Sequence, residues 1–311
     1  MRHFKKIYVL GAGAVGCYFG GMLARMKEDV ILIARPARAQ AINEMGLEMD
    51  CRSFNECVKV KASSDLSLLA DADLVLLTVK SPDTEKIIRD VASILPKHAV
   101  ILSMQNGIAN VDIASALIPN PVYPAVVYVA ADMINHQTMK HHGRGELVVG
   151  SLEQMTNHDQ ENLSSICALF ESASVPCVIA VQIKRDMWLK FLVNCSYNAI
   201  SGIGQIAYGE MVRVPEIVQQ IESITQEFLK IASLEGVEIS ESEGREANAL
   251  IATTMTTQKS STAQDLARGK KTEIDYLNGY IVKLANKHGV EVPFNQSVHA
   301  LVKMLERAPH N

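Results

Sequence analysis

The chain has 311 residues, of which 48% are hydrophobic and 21% charged, with a formal net charge of −4. That length accommodates two domains with sizeable cores. The mild negative charge gives no general attraction to nucleic acid or anionic membranes, and the longest apolar runs, such as 74–79, are too short to span a bilayer. No apolar leader precedes the first predicted strand, and the six cysteines (17, 51, 57, 167, 177 and 195) form no CxxC pair. These features predict a cytoplasmic protein with reduced thiols.

The first predicted strand, Ile7–Leu10, runs straight into Gly11-Ala12-Gly13-Ala14-Val15-Gly16. A helical pattern follows, with Val15, Phe19, Met22 and Leu23 on one side, and then a second strand, Val30–Ile33. In this order each glycine has a task. The first permits the tight turn, the second lets backbone approach a pyrophosphate, and the third lets helix and strand pack closely. The helix N-terminus adds free N–H groups and partial positive charge. The sequence therefore predicts a dinucleotide on a Rossmann-type βαβ unit. At the end of the second strand, where an acid commonly holds the ribose hydroxyls, the chain reads Ala34-Arg35-Pro36-Ala37-Arg38. An acid would repel a 2′-phosphate, whereas a guanidinium pairs with it, so the predicted cofactor is NADP(H). The alternative is that both arginines are solvated loop charges.

Further strands are predicted at Leu74–Val79, Val100–Met104, Val122–Tyr128, Leu147–Val149 and Val178–Val181, with a helix between the last two. His141-His142 reads as a polar loop. Strand signals stop near residue 182. Thereafter apolar stripes mark helices: one that Pro215 opens and Gly236 closes, one through Tyr276–Leu284 closed near Gly289, and one through Val298–Leu305. The expected fold class is α/β, an N-terminal doubly wound parallel sheet (residues 1–181) followed by an all-helical domain (182–311). Ligands in such proteins favour the crevice outside the carboxyl ends of the strands and the cleft between domains.

Polar groups follow two of the strands, Thr78-Val79-Lys80 and Gln105-Asn106-Gly107; both would face that crevice, unless they are a solvated terminus and a plain turn. In the helical half, Lys190, Asn194 and Asn198 recur every four residues and share one stripe, with about 40° of drift per step. Trp188, Phe191, Leu192 and Val193 surround them. Amides in such company need partners, which a substrate with hydroxyl and carboxylate groups would supply; an exposed stripe or internal hydrogen bonding is the other reading. Residues 260–279 read as a Ser-rich helix start, a basic turn and a second helix, with Thr272 and Asp275 as a capping-box-like pair.

Together the glycine motif, Lys80, Gln105-Asn106-Gly107, Lys190-x₃-Asn194-x₃-Asn198, Ser260-Ser261 and Thr272-Glu273-Ile274-Asp275-Tyr276-Leu277-Asn278-Gly279 resemble the ketopantoate reductase family, collinearly from residue 7 to about 305. The resemblance implies NADPH-dependent reduction of 2-dehydropantoate to (R)-pantoate, on the route to pantothenate and coenzyme A. It implies Lys190 and Glu273 as catalytic residues, and Asn194, Asn198 and Ser261 as substrate contacts, with Asn106 between cofactor and substrate. Gly11, Ala12, Gly13, Ala14, Val15, Gly16, Arg35 and Lys80 would contact the cofactor. Two positions depart from the family pattern: Thr262 stands where Met is common, and Gln258 where an Asn often contacts substrate. Hydride attack on the ketone would make an alkoxide, which a lysine ammonium can stabilise and protonate. Desolvation by Trp188 and Phe191 is expected to lower the Lys190 pKa and Glu273 to raise it. No metal is called for. The same machinery acting on another branched or hydroxylated 2-keto acid, or a non-catalytic NADP(H) sensor, are the competing readings. Helical domains of this type can form homodimers, and no single stripe here selects an interface.

Overall fold

The computed structural model describes residues 2–308. The chain divides into two compact units, Met1–Ile183 and Lys184–Asn311.

The first unit is a mixed sheet with helices on both faces. Its elements in chain order are β1 (Ile7–Leu10), α1 (Ala14–Arg25), β2 (Val30–Ile33), α2 (Pro36–Met45), β3 (Leu47–Asp50), β4 (Asn55–Val58), β5 (Lys61–Ser63), β6 (Leu74–Leu77), α3 (Thr84–Val91), β7 (Val100–Ser103), α4 (Asn110–Ser115), β8 (Val122–Met133), β9 (Thr138–Val149), α5 (Asn157–Ser172) and β10 (Cys177–Ile179). The strand order is β4-β3-β9-β8-β7-β6-β1-β2-β5, with β10 beside β9. From β5 through β8 every pairing is parallel. The chain leaves β1 toward β2 and β5, then returns to β6 on the other side of β1. That reversal makes the crevice where such sheets bind ligands.

Alternation along the strands supplies both cores. Ile7, Val9, Leu74, Leu76, Val100 and Leu102 pack with α1, α2 and α5. Tyr8, Leu10, Val75, Leu77 and Ile101 pack on the opposite face with α3 and α4. The doubly wound expectation thus holds for the parallel part of the sheet.

The sheet is wider than the sequence suggests. β3, β4 and β5 are not apparent in the hydrophobic pattern, and β8 and β9 are each 12 residues long. They form an antiparallel hairpin whose register shifts at Tyr128/Val129 and Ala130/Ala131. His141 and His142 therefore lie in strand β9, not in a loop. His141 bonds the Arg144 carbonyl, and His142 pairs with Asp132. The final strand is Cys177–Ile179, and Val181, expected to end it, is 99% exposed.

The second unit carries α6 (Ile183–Gly204), whose first residue is the last of the first unit, then α7 (Tyr208–Met211), α8 (Pro215–Leu234), α9 (Glu241–Thr254), α10 (Ser261–Ala267), α11 (Asn278–His288) and α12 (Pro293–Leu305). Pro215 opens α8, and Gly289 closes α11 in the left-handed conformation that favours glycine. The core centres on Trp188, Phe191 and Phe228, whose rings meet edge to face at 5.1–5.9 Å. No helix among the described residues is long and apolar enough to cross a membrane.

Candidate functional site

In the first unit the glycine loop sits at the carboxyl end of β1. Gly11 has φ +118°, and a β-carbon there would stand 2.6 Å from the Val79 nitrogen. On Gly16 a β-carbon would stand 2.3 Å from the Gly11 carbonyl oxygen, so α1 lies directly on the strand end. Gly13 differs: a β-carbon there would meet nothing within 4 Å. The space it leaves opens in front of the first turn of α1, where Gly13 is the N-cap with no capping side chain. The first N–H groups of a helix have no partner within it. A pyrophosphate fits this cradle on both shape and charge.

The end of β2 lies against the loop, since the Gly11 and Ala12 amides both donate to the Ile33 carbonyl. Arg35 is exposed and opens α2 as its N-cap. Arg38 is half-buried, and its Nη1 donates to the Ala12 carbonyl. Burial pushes the Cys17 thiol beneath the loop up to about 11, against the opposing effect of Arg38.

Lys80 and Asn106 lie on the turns after β6 and β7, which a polar network ties together. The Gln105 side chain donates to the Val79 carbonyl at 2.9 Å and to Thr84 Oγ1 at 2.6 Å. Thr84 donates to Asn110 Oδ1, and Asn110 Nδ2 donates to Ser81 Oγ and to the Asn106 carbonyl. Ser81, Thr84 and Asn110 are buried. These three residues have little local signal in the sequence: Ser81 follows Lys80 in a turn, and Thr84 and Asn110 are the first residues of α3 and α4.

In the second unit Lys190, Asn194 and Asn198 share α6 as expected, with Lys190 and Asn194 half-buried. Asn198 Nδ2 donates to Asn194 Oδ1 at 3.3 Å, and Asn198 Oδ1 accepts the Tyr208 hydroxyl at 3.2 Å. Asn198 is 4% exposed, so its amide is spent inside the unit. Asn194 Nδ2 is buried and lacks a hydrogen-bond partner among the described residues. Trp188 lies about 200° around the helix from Lys190, in the aromatic core with Phe228.

Ser260 caps α10: its hydroxyl accepts from the Ala263 amide and donates to the Asn198 carbonyl. That places Ser261 as the first, exposed residue of α10, beside the stripe's last turn. Of the two departures, Thr262 is buried with its methyl against Gly202 of α6, where a β-carbon would meet it at 2.8 Å. Gln258 accepts the Tyr208 amide through its carbonyl. The start of α11, just after the turn that carries Glu273, lies along α6 as well. Asn278 donates to the Cys195 carbonyl at 3.0 Å, and the Tyr280 and Phe191 rings are 6.4 Å apart.

The capping box expected between Thr272 and Asp275 does not form. Thr272 Oγ1 accepts the Ile274 amide and donates to Glu306, while Asp275 faces His299 and Lys303. Partners on α12 outcompete the local pair.

Residues 7–154 match the family Ketopantoate reductase PanE/ApbA, and residues 182–306 match its C-terminal counterpart. A 2-dehydropantoate 2-reductase of Pyrococcus horikoshii is 31% identical over 303 residues, covering 97% of each chain. Among solved structures, a PanE/ApbA family ketopantoate reductase from Ralstonia eutropha JMP134 is 45% identical, with a TM-score of 0.90 over 97% of this chain and 98% of its own. A D-mandelate dehydrogenase, solved with NADH and anilino(oxo)acetate, superposes equally well, with a TM-score of 0.90 at 26% identity over 97% of this chain and 98% of its own. The chain belongs to the ketopantoate reductase PanE/ApbA family and is an NAD(P)-dependent oxidoreductase acting on a CH–OH group.

Proposed function

We propose that the chain reduces 2-dehydropantoate to (R)-pantoate with NADPH, the first unit holding the cofactor and the second the substrate. The observation that carries the substrate assignment is the Asn194 amide, a buried donor with no acceptor among the described residues, one helical turn beyond Lys190. Buried donors of this kind are matched by something in the working molecule, and a hydroxylated 2-keto acid offers the acceptor.

The loop 11–16 and the first turn of α1 would hold the pyrophosphate, Arg35 and Arg38 the 2′-phosphate, and Lys80 and Asn106 the remainder of the cofactor. When bound, a reduced nicotinamide supplies the hydride. Lys190 stabilises the negative charge developing on the C2 oxygen and delivers a proton to it. Glu273 orients the Lys190 ammonium. Ser261 donates its hydroxyl to the substrate carboxylate, and Asn194 donates to the substrate hydroxyl. Asn198, named with these as a substrate contact, acts here through Asn194, which it holds. None of these steps calls on a metal ion.

A second reading, reduction of an aromatic 2-keto acid, is favoured by the close superposition on D-mandelate dehydrogenase. Both are tested by one assay. Purified protein is mixed with NADPH or NADH and with 2-dehydropantoate, 2-oxoisovalerate or phenylglyoxylate, and loss of reduced nicotinamide absorbance is followed. The highest kcat/KM is expected for 2-dehydropantoate with NADPH. A preference for phenylglyoxylate selects the second reading, and cofactor binding without turnover of any keto acid identifies a sensor. Lys190→Ala is expected to lower kcat by about 10²–10⁴ while NADPH binding survives; near-normal kcat overturns the assignment of the proton donor.

A further inference from the structure

We propose that α12 acts as a positioning device for Glu273, through Glu306, Lys303 and His299; this rests on the catalytic role of Glu273 proposed above. Glu273 is the middle residue of a tightly held turn. Before it, Thr272 is buried, and both its backbone amide and its hydroxyl donate to one oxygen of Glu306, at 2.8 and 2.7 Å. After it, Ile274 is fully buried, and its amide is taken by the Thr272 hydroxyl at 3.1 Å. The Glu273 carbonyl accepts the Tyr276 amide, closing the turn. Next, Asp275 pairs with His299 and with Lys303, both at 2.7 Å. Lys303 also reaches Glu306, at 3.0 Å, which closes a ring from Thr272 through Glu306 and Lys303 to Asp275.

His299, Lys303 and Glu306 fall at i, i+4 and i+7 of α12 and its C-cap, the spacing that stacks side chains on one helix face. One face of α12 thus grips the residues on both sides of Glu273. Burial alone would push the Glu306 carboxyl up, but the Thr272 donors and Lys303 hold it below its ordinary value, so the carboxylate is kept as an acceptor. A salt bridge on an exposed surface would do little; this acceptor is different because it takes both donors of a single buried residue. Neither α12 nor Thr272 needs to touch the substrate for this role, since a small misplacement of a reacting group costs up to about 10²-fold in rate.

The test compares Glu306→Ala, Thr272→Val and the conservative Thr272→Ser, each alone and combined with Glu273→Ala. NADPH affinity by fluorescence and the thermal midpoint are recorded beside kcat and KM for the keto acid that the wild type turns over. Glu306→Ala and Thr272→Val are expected to lower kcat roughly tenfold to a hundredfold with little change in NADPH affinity, and Thr272→Ser is expected to restore it. In the Glu273→Ala background the same changes are expected to cost nothing further, because the lost positioning acts on an absent group. Losses that persist undiminished without Glu273, or a Glu306→Ala enzyme with wild-type kcat, overturn the device. Glu273→Ala with wild-type kcat instead overturns the catalytic role of Glu273 itself, and the device falls with it.

Discussion

Thr78 donates its hydroxyl to the Gly11 carbonyl at 2.6 Å, and the same hydroxyl lies 2.7 Å from where a β-carbon on Gly16 would stand. The end of β6 thus fixes both ends of the glycine loop, while Gly13 between them faces open space. The two glycines should answer differently to alanine. Gly16→Ala forces the Gly11 carbonyl and Thr78 apart and is expected to cost about 1–3 kcal/mol of stability. Gly13→Ala should cost within about 1 kcal/mol, since φ there is −80°, yet weaken NADPH binding about tenfold or more. Thermal midpoints and cofactor titrations of the two variants separate the effects; equal loss of stability would mean that Gly13 is a packing residue.

Cofactor preference should reside in two arginines. A charge-assisted bidentate pair contributes about 1.5–3 kcal/mol, roughly a tenfold to hundredfold preference for NADPH. Arg38 is pre-positioned by the Ala12 carbonyl, so Arg38→Ala is expected to lower the NADPH/NADH affinity ratio at least as much as Arg35→Ala. Dissociation constants for both cofactors with both variants measure this. Equal NADH and NADPH affinity in the wild type would remove the basis for the NADP(H) assignment.

Asn194 and Asn198 look alike in the sequence and should behave differently. Asn198→Ala strands the buried Tyr208 hydroxyl and is expected to cost about 1–3 kcal/mol, with a smaller, indirect effect on KM. Asn194→Ala removes a donor that has no partner among the described residues, so it should raise KM with less loss of stability. Urea denaturation and steady-state kinetics of the pair decide it; a larger KM effect from Asn198→Ala would restore it as the direct substrate contact.

The parts visible in the sequence were those with strong local signals. A glycine triplet between a strand and a helix, a four-residue polar step and a Pro-to-Gly helix frame all constrain the backbone nearby. β3, β4 and β5 have no such signal. Leu47-Glu48-Met49-Asp50 alternates for only four residues, and Lys61-Ala62-Ser63 is three residues long. They become strands because β9 and β2 supply partners, an effect of tertiary context that outweighs propensity. Thr272 and Asp275 show the same limit at the candidate site. Their spacing suits a capping box, but Glu306, His299 and Lys303 arrive from α12 and take both side chains.

Acid should loosen the start of α9. The Ser240 backbone amide and hydroxyl, together with Arg185, hold the Glu243 carboxyl down to about 2 from an ordinary 4.5. A depressed carboxyl stabilises the fold above its unfolded-state value, and that contribution is lost as pH falls from about 4.5 toward 2. Glu243→Gln should therefore flatten the acid limb of a stability-against-pH curve over that window, with little change in its slope near neutrality. An unchanged acid limb would mean that other carboxylates govern it.

The β3–β4 hairpin is made early in the chain, yet β3 pairs with β9, and Thr138 of β9 donates to Glu48 of β3 across a separation of 90 residues. Closing so long a loop is entropically costly and slow compared with forming the local βαβ unit around β1 and β2. A growing chain therefore exposes β3 as an unpaired edge until β9 has emerged, and unpaired edges recruit foreign strands. The sheet order that widens the fold thus leaves this hairpin open to misassembly until β9 is made.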